Sequence, residues 1–475
     1  MPANKKTKIV ATLGPAINSK SMLEKMVEAG VNVFRVNFSH ADYENVKERI
    51  KDIREINKEK GVYTSILADL QGPKLRVGVM EEGVVLKDGD SFVFTTESCI
   101  GTSEKAFMTY QNFPKDVKVG EHILVDDGKL LFEVMGTNRK NEVQTKVLVG
   151  GVLSSKKGVN LPNTAISLPA LTDKDMKDAV FALEQEVDWI ALSFVRNPED
   201  LRKLHDLIKQ KSVHRVPVIA KIEKPEAVEN IDALIPYCDG LMVARGDLGV
   251  EIPMQEVPLI QKKLVQRAKM ARIPVIIATQ MMETMITNAV PTRAEVNDVA
   301  NSIMDGADAV MLSGETSVGA HPLRVIQKMT EIIRSVENSS LIKVPQTPPH
   351  IRTDRFITKS VCHHAALMAN DVDATAISTL TNSGYTAFQI SAWRPKANIL
   401  AFSSEKRILT KLSLLWGVKS FFYDKNVSTD DTVVDINKIA KAKGYVKKSD
   451  FVINLTSMPV EAKGMVNTLR VSQIK

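Results

Sequence analysis

PVIAKIE at Pro217–Glu223 and GLMVARGDL at Gly240–Leu248 are two apolar, strand-like runs that each end in charged residues. Six more runs of this kind occur: KIVATLG from Lys8, VNVFRVNFS from Val31, YTSILADL from Tyr63, WIALSFV from Trp189, PVIIATQM from Pro274 and AVMLSGE from Ala309. Most are separated by helix-like stretches such as SKSMLEKMVEA and NPEDLRKLHDLIKQ, the βα alternation of a parallel sheet. Eight such units predict an α/β fold, a (β/α)8 barrel.

The third unit is interrupted. After Gln71-Gly72-Pro73 come short alternating segments (SFVFTT, EHILVDDGKLLFEV, EVQTKVLV) with Gly and Asp-Gly turns, and the helix-strand rhythm resumes near Thr172. The expected organisation is a barrel from residues 1–70 and 169–340, with a small β-barrel lid, 71–168, inserted over its mouth. SSLIKVPQTPPHIRT reads as a linker. Beyond it, the strands DATAISTL, NILAFSS, VKSFFYD and DFVINLTS alternate with helical segments in a C-terminal α/β domain, 354–475.

A chain of 475 residues accommodates several domains, and 44% hydrophobic with 25% charged residues is ordinary globular composition. The net charge of +7 comes from 63 basic residues spread among 56 acidic ones without a long cationic block, which fits a solvated surface rather than nucleic-acid binding. Phosphorylated small molecules remain compatible partners. Cys99, Cys238 and Cys362 form no CxxC pair, so neither a disulfide framework nor a structural zinc is expected. The start turns directly into a strand pattern and no apolar stretch is long enough to span a bilayer; the expected location is the cytoplasm.

Chemistry in such barrels lies at the C-terminal ends of the strands. Polar residues cluster there: Arg35, Asn37 and Ser39 on the second strand, Asp69 on the third, Lys221 and Glu223 on the fifth, Asp247 after the sixth, Thr279 after the seventh, and Ser313 with Glu315 after the eighth. Side chains two residues apart share a strand face, so Arg35, Asn37 and Ser39 converge, as do Lys221 and Glu223. A buried ion pair accounts for Lys221 and Glu223 alone but not for the same pattern on the other strands. Glu223 and Asp247, with no histidine cluster nearby, suit Mg²⁺ or Mn²⁺, and Gly246 lets a ligand carboxylate approach the backbone.

Nine stretches, in this order, closely resemble the pyruvate kinase family over essentially the whole chain: ATLGPA, FRVNFSH, LADLQGPKLRVG, SKKGVNLP, AKIE, MVARGDLGVEIP, IIATQMMETM, PTRAEVNDVAN and MLSGETSVGAHP. The resemblance implies phosphoryl transfer from phosphoenolpyruvate to ADP, giving pyruvate and ATP, in a homotetramer. It places Arg35 and Lys221 on the transferring phosphoryl group, Mg²⁺ on Glu223 and Asp247, and Gly246, Asp247 and Thr279 around the pyruvate moiety, with Thr279 near the protonated face. It implicates Asn37, Phe38, Ser39, His40, Arg76 and, among the SKK lysines, Lys157 ahead of Lys156 for the nucleotide.

Many family members need K⁺, held by residues matching Asn37, Ser39, Asp69 and the Leu70 carbonyl, with a glutamate at the position of Lys74. An ammonium on the chain supplies its own fixed charge, so Lys74 is expected to replace K⁺. The family's VNLPG reads VNLPN, with Asn163 expected to keep a left-handed turn. Thr381-Asn382-Ser383-Gly384-Tyr385-Thr386 follows a strand and opens a helix, matching the loop where related enzymes bind sugar-phosphate effectors. His363-His364 is expected on a helix surface, and Met281, Met282 and Met285 in the packing. Other Mg²⁺-dependent phosphoenolpyruvate or pyruvate barrels, lyases and mutases, and a catalytically silent metabolite-binding relative are the alternatives.

Overall fold

The computed structural model describes residues 5–162, 164–339, 342, 355–425, 427–458 and 465–475. Asn163 and most of the linker lie outside them.

The eight runs are eight parallel strands: β1 Lys8–Thr12, β2 Val33–Asn37, β3 Ser65–Asp69, β4 Trp189–Leu192, β5 Val218–Ile222, β6 Gly240–Ala244, β7 Val275–Ala278 and β8 Ala309–Leu312. They close into a barrel in chain order, with β1 beside both β2 and β8. Both faces of these strands are covered, which is why the runs are continuously apolar rather than alternating. One parity (Val10, Val33, Leu67, Ala191, Ile219, Met242, Ile276, Met311) fills the barrel interior. The other (Ile9, Phe34, Ile66, Ile190, Val218, Leu241, Ile277, Val310) packs under the surrounding helices. Counting the interior parity toward the C-terminal ends lands on Thr12, Arg35, Asn37, Asp69, Ser193, Lys221 and Glu223. The backbone rule that fills the barrel therefore also aims its polar residues at one mouth.

The inserted domain is a six-stranded sheet in the order Val159–Asn160, His122–Val125, Leu130–Thr137, Glu142–Val149, Ser91–Thr95, Lys105–Phe107. Bridges from Arg76 to Gly158 and from Val77 to Met108 join its two edges and close it as a small barrel. Its core is a cluster of aromatic rings, Phe92, Phe94, Phe113 and Phe132.

Gly72 opens the crossing into this domain. Its φ is +71°, its N–H donates to Asp175 Oδ1 at 3.1 Å, and a Cβ there would stand 2.6 Å from Phe194 Cδ2. Gly72→Ala is therefore expected to cost about 1–3 kcal/mol, read as a lower denaturant midpoint, because both the left-handed backbone and the space require glycine. A variant as stable as the parent would show that the crossing is free to rearrange.

The C-terminal domain is a five-stranded sheet in the order Val418–Phe422, Asn398–Ser403, Ala376–Leu380, Phe451–Thr456, Thr468–Gln473. Four of its strands are the expected ones. The fifth, Thr468–Gln473, pairs antiparallel at the edge and escapes sequence reading because it is half exposed and its apolar face is only two residues, Leu469 and Val471. This domain stops the N-terminal end of the barrel: Leu414 and Phe388 join the interior cluster, Trp189 Nε1 donates to the Lys411 carbonyl at 3.1 Å, and Arg394 pairs with Asp308 at 2.9 Å, both buried. The three cysteines are unpaired, Met281, Met282 and Met285 are fully buried, and no helix among the described residues is long and apolar enough to cross a membrane.

Candidate active site

Four charged side chains meet at the C-terminal mouth of the barrel, nearly out of reach of solvent: Arg35 and Lys221 are each 9% exposed, Asp69 and Glu223 each 1%. Arg35 Nε donates to Asp69 Oδ2 at 2.5 Å and its Nη1 to Thr12 Oγ1 at 3.0 Å. Lys221 Nζ lies 3.1 Å from Asp69 Oδ1, 2.9 Å from Glu223 Oε1 and 2.6 Å from Ser193 Oγ. Ser193 passes its own proton to the Leu70 carbonyl at 2.6 Å, and Phe194 N–H donates to Glu223 Oε2 at 2.7 Å.

Burying this many charges is costly, and a hydrophobic replacement of the same volume would stabilise the fold as well or better. The arrangement is therefore explained by chemistry. Burial drags the Lys221 ammonium toward neutrality, but the Asp69 and Glu223 carboxylates outweigh it and hold its pKa above that of ordinary lysine. Asp69 feels the same burial and is nevertheless kept below the usual carboxylate range by Lys221 and Arg35. Glu223 goes the other way: burial and the nearby Asp247 charge push its pKa up against the pull of Lys221. Asp247 itself makes no hydrogen bond or ion pair with the described residues. Two cations thus face three carboxylates, an arrangement that favours an added cation.

Asp247 stands in the first turn of the short helix Arg245–Glu251. Arg245 anchors that turn to the end of β7, with Nη2 donating to the Thr279 carbonyl at 2.7 Å and Nη1 to Asp298 at 2.7 Å. Gly246 N–H donates to Thr279 Oγ1 at 2.7 Å, and a Cβ on Gly246 would sit 3.3 Å from that oxygen, so glycine gives this close approach. Phe194, Thr279 and Gln280 all hold positive φ, 55°, 67° and 53°, so strained backbone concentrates at the mouth. Glu315 is buried and accepts N–H bonds from Met282 at 3.2 Å and Ser313 at 2.7 Å, tying together the loops after β7 and β8. Its role is structural.

The structure brings Asn37 and Asp69 into register on adjacent strands, with the Leu70 carbonyl following and Ser39 N–H donating to Asn37 Oδ1 at 3.2 Å. Phe38 turns away: its ring is 1% exposed and packs edge-on against Tyr43 and Phe181, its N–H donates to the Asp69 carbonyl at 3.0 Å and its carbonyl accepts from Lys174 Nζ at 2.7 Å, so neither its ring nor its N–H is free for a nucleotide. His40 is exposed. Arg76 and the lysine turn come together, with Arg76 Nη1 donating to the Lys156 carbonyl at 2.8 Å and Lys157 Nζ paired with Asp126 at 2.9 Å. Between the inserted domain and the barrel is a cleft of about 630 Å³, open to solvent, whose walls include Lys74, Asp127 and Gly158 on one side and Arg196, Lys224 and Asp247 on the other. Lys74 is exposed and its ammonium has no partner among the described residues.

Sequence reading missed Ser193 and Thr12, which hold Lys221 and Arg35. The signal was present, since Trp189, Ala191 and Ser193 alternate on β4 as Ile219 and Lys221 do on β5.

A family model for the pyruvate kinase barrel domain matches residues 4–326, and one for the pyruvate kinase α/β domain matches 359–472. The chain belongs to the pyruvate kinase family. Pyruvate kinases from Geobacillus stearothermophilus and Mycobacterium intracellulare are 42% and 41% identical to it, each over 99% of this chain and over 80% and 99% of their own. A pyruvate kinase from Cryptosporidium parvum superposes with a TM-score of 0.92 at 32% identity, covering 99% of this chain and 96% of that one. Membership makes the chain a phosphotransferase and removes the lyase, mutase and silent-relative alternatives. Pyruvate kinases work with a divalent cation.

The distal loop, Thr381–Thr386, caps a helix in the C-terminal domain. Thr381 Oγ1 accepts from Gly384 N–H at 3.0 Å, Gly384 has a φ of +83°, and the Arg355 guanidinium lies 4.5 Å over the Tyr385 ring, while Asn382 and Ser383 are exposed. Arg355 is thus a cation that contacts the loop from outside it. His363 corrects an expectation: it is buried against Trp393 at 4.2 Å rather than on a helix surface, because the second helix of this domain covers that face; only His364 is exposed.

Proposed function

We propose that Arg35 and Lys221 bind the phosphoryl group that passes from phosphoenolpyruvate to ADP. Phosphoryl transfer is catalysed chiefly by positioning and by neutralising charge on the equatorial oxygens, and these two buried cations share one mouth. On arrival of substrate, both exchange contacts with Asp69 and Glu223 for phosphoryl oxygens. The carrying observation is the ion network itself: three carboxylates against two cations, with the Asp247 carboxylate unpartnered among the described residues.

Glu223 and Asp247 fit Mg²⁺ or Mn²⁺, since a charge-repelled carboxylate pair with no third acidic or imidazole ligand among the described residues leaves coordination positions for substrate and water. When bound, the ion neutralises carboxylate and phosphoryl oxygens. Gly246 N–H exchanges Thr279 Oγ1, to which it donates at 2.7 Å, for the substrate carboxylate at the Asp247 turn, and Thr279 Oγ1, which donates to the Ala278 carbonyl at 2.6 Å, faces the enolate carbon that takes the proton. Asn37, Ser39, His40, Arg76 and Lys157 surround the nucleotide, which enters through the cleft under the inserted domain.

Lys74 takes the place of K⁺. The residues that match the K⁺ ligand set, Asn37, Ser39, Asp69 and Leu70, are all in the chain, and Asp69 Oδ1 already faces the Lys221 ammonium at 3.1 Å. Yet the residue on the cleft wall is an unpaired ammonium rather than a carboxylate. The Thr381–Thr386 loop, with Arg355, receives a sugar phosphate; the assembly is a cytoplasmic homotetramer. A lactate-dehydrogenase-coupled assay at constant ionic strength is the test: turnover in tetramethylammonium chloride is expected to equal that in KCl, and strong stimulation by K⁺ would remove Lys74 from this role.

A further inference from the structure

The geometry points to Ser193 as a positioning residue that fixes the Lys221 ammonium and ties it to the hinge of the inserted domain. An ammonium has three protons, and Lys221 has three acceptors: Asp69, Glu223 and Ser193, the last being the shortest at 2.6 Å. The Ser193 proton is committed to the Leu70 carbonyl at 2.6 Å, so the hydroxyl can present only a lone pair to Lys221. Unlike the two carboxylates, this acceptor is neutral. It orients the ammonium without competing for its charge when a phosphoryl group arrives.

Ser193 also begins the segment on which both chain crossings to the inserted domain rest. A Cβ on Gly72 would lie 3.0 Å from Ser193 Cβ and 2.6 Å from the Phe194 ring, so the outgoing crossing is in contact with both. Arg196 holds the returning crossing, donating to the carbonyls of Ile166 at 2.5 Å and Leu168 at 2.7 Å. Between them, Phe194 N–H fixes Glu223 at 2.7 Å from a left-handed backbone. Movement of the inserted domain therefore bears on the short segment whose Ser193 and Phe194 set Lys221 and Glu223, giving lid position a route to the phosphoryl site.

This inference rests on the role proposed for Lys221, and a double-mutant cycle separates the two. Ser193→Ala is expected to lower kcat about tenfold, the scale of one hydrogen bond to a charged group, with KM for phosphoenolpyruvate changed less than about threefold. The melting temperature should move only a few degrees, roughly. If Ser193 acts through Lys221, the Ser193→Ala/Lys221→Ala double variant is no slower than Lys221→Ala alone. Losses that multiply, or Ser193→Ala with parental kcat while Lys221→Ala is slow, overturn the positioning role; Lys221→Ala with parental kcat sinks both readings. Ser193→Gly, run through the same cycle, gives the same decision if the alanine variant folds poorly.

Discussion

Lys221→Ala is expected to reduce kcat about a hundredfold or more, the scale of losing one preorganised electrostatic group from a water-poor site. The effect falls on kcat rather than on KM because the group matters most when charge spreads over the transferring phosphoryl oxygens. Removing the ammonium also strands Asp69 and Glu223, each 1% exposed, beside a single remaining cation, Arg35. Breaking a buried pair costs about 3–5 kcal/mol, so the variant should melt lower as well. A thermal scan on the same samples separates the two effects: a folded variant with parental turnover would take Lys221 out of the chemistry.

The protonation of Lys221 sets the pH behaviour. Its folded pKa is raised, since the carboxylates outweigh burial, so the network's stabilisation is complete below the ordinary lysine pKa and is lost only as pH rises through the higher folded value. An alkaline fall in kcat at pH 8–9 would accordingly come from another group.

Most of the fold was legible because a parallel barrel imposes a simple pattern: eight short apolar runs, helices between them, and one parity carried to the polar mouth. Arg35, Asp69, Lys221 and Glu223 were legible for the same reason, standing at strand ends two residues from an apolar neighbour. What was not legible depends on contacts between distant segments. Leu414 and Phe388 read as ordinary apolar residues of a separate domain, and only docking makes them part of the barrel core. Thr468–Gln473 has only Leu469 and Val471 on its apolar face, so its place is decided by the edge it pairs with. Phe38 sits inside a conspicuous polar motif, FRVNFSH, yet its ring belongs to the helix layer beyond it because it has the outward parity. Ser193 carries the interior parity in the sequence, but a neutral hydroxyl says less than a charge about its role, which the 2.6 Å contact with Lys221 makes plain.

From the role proposed for Lys74, the Lys74→Glu variant is expected to depend on K⁺. Pro73 and Leu75 hold residue 74 in the wall of the cleft that Asp247 also lines, and the side chain there is exposed, so exchange costs the fold little, within about 0.5 kcal/mol. The change removes a fixed positive charge and adds a negative one where three carboxylates already face two cations. Without a monovalent cation, turnover is expected to fall about tenfold to a hundredfold, as for loss of one electrostatic contact at a phosphoryl site. With K⁺ the added carboxylate completes the oxygen set of Asn37, Ser39, Asp69 and the Leu70 carbonyl, and activity should return. Tetramethylammonium chloride at matched ionic strength provides the control, because general screening then cancels and only an ion able to enter the site can rescue. A Lys74→Glu variant equally active in both salts would show that residue 74 has no part in the monovalent-cation requirement.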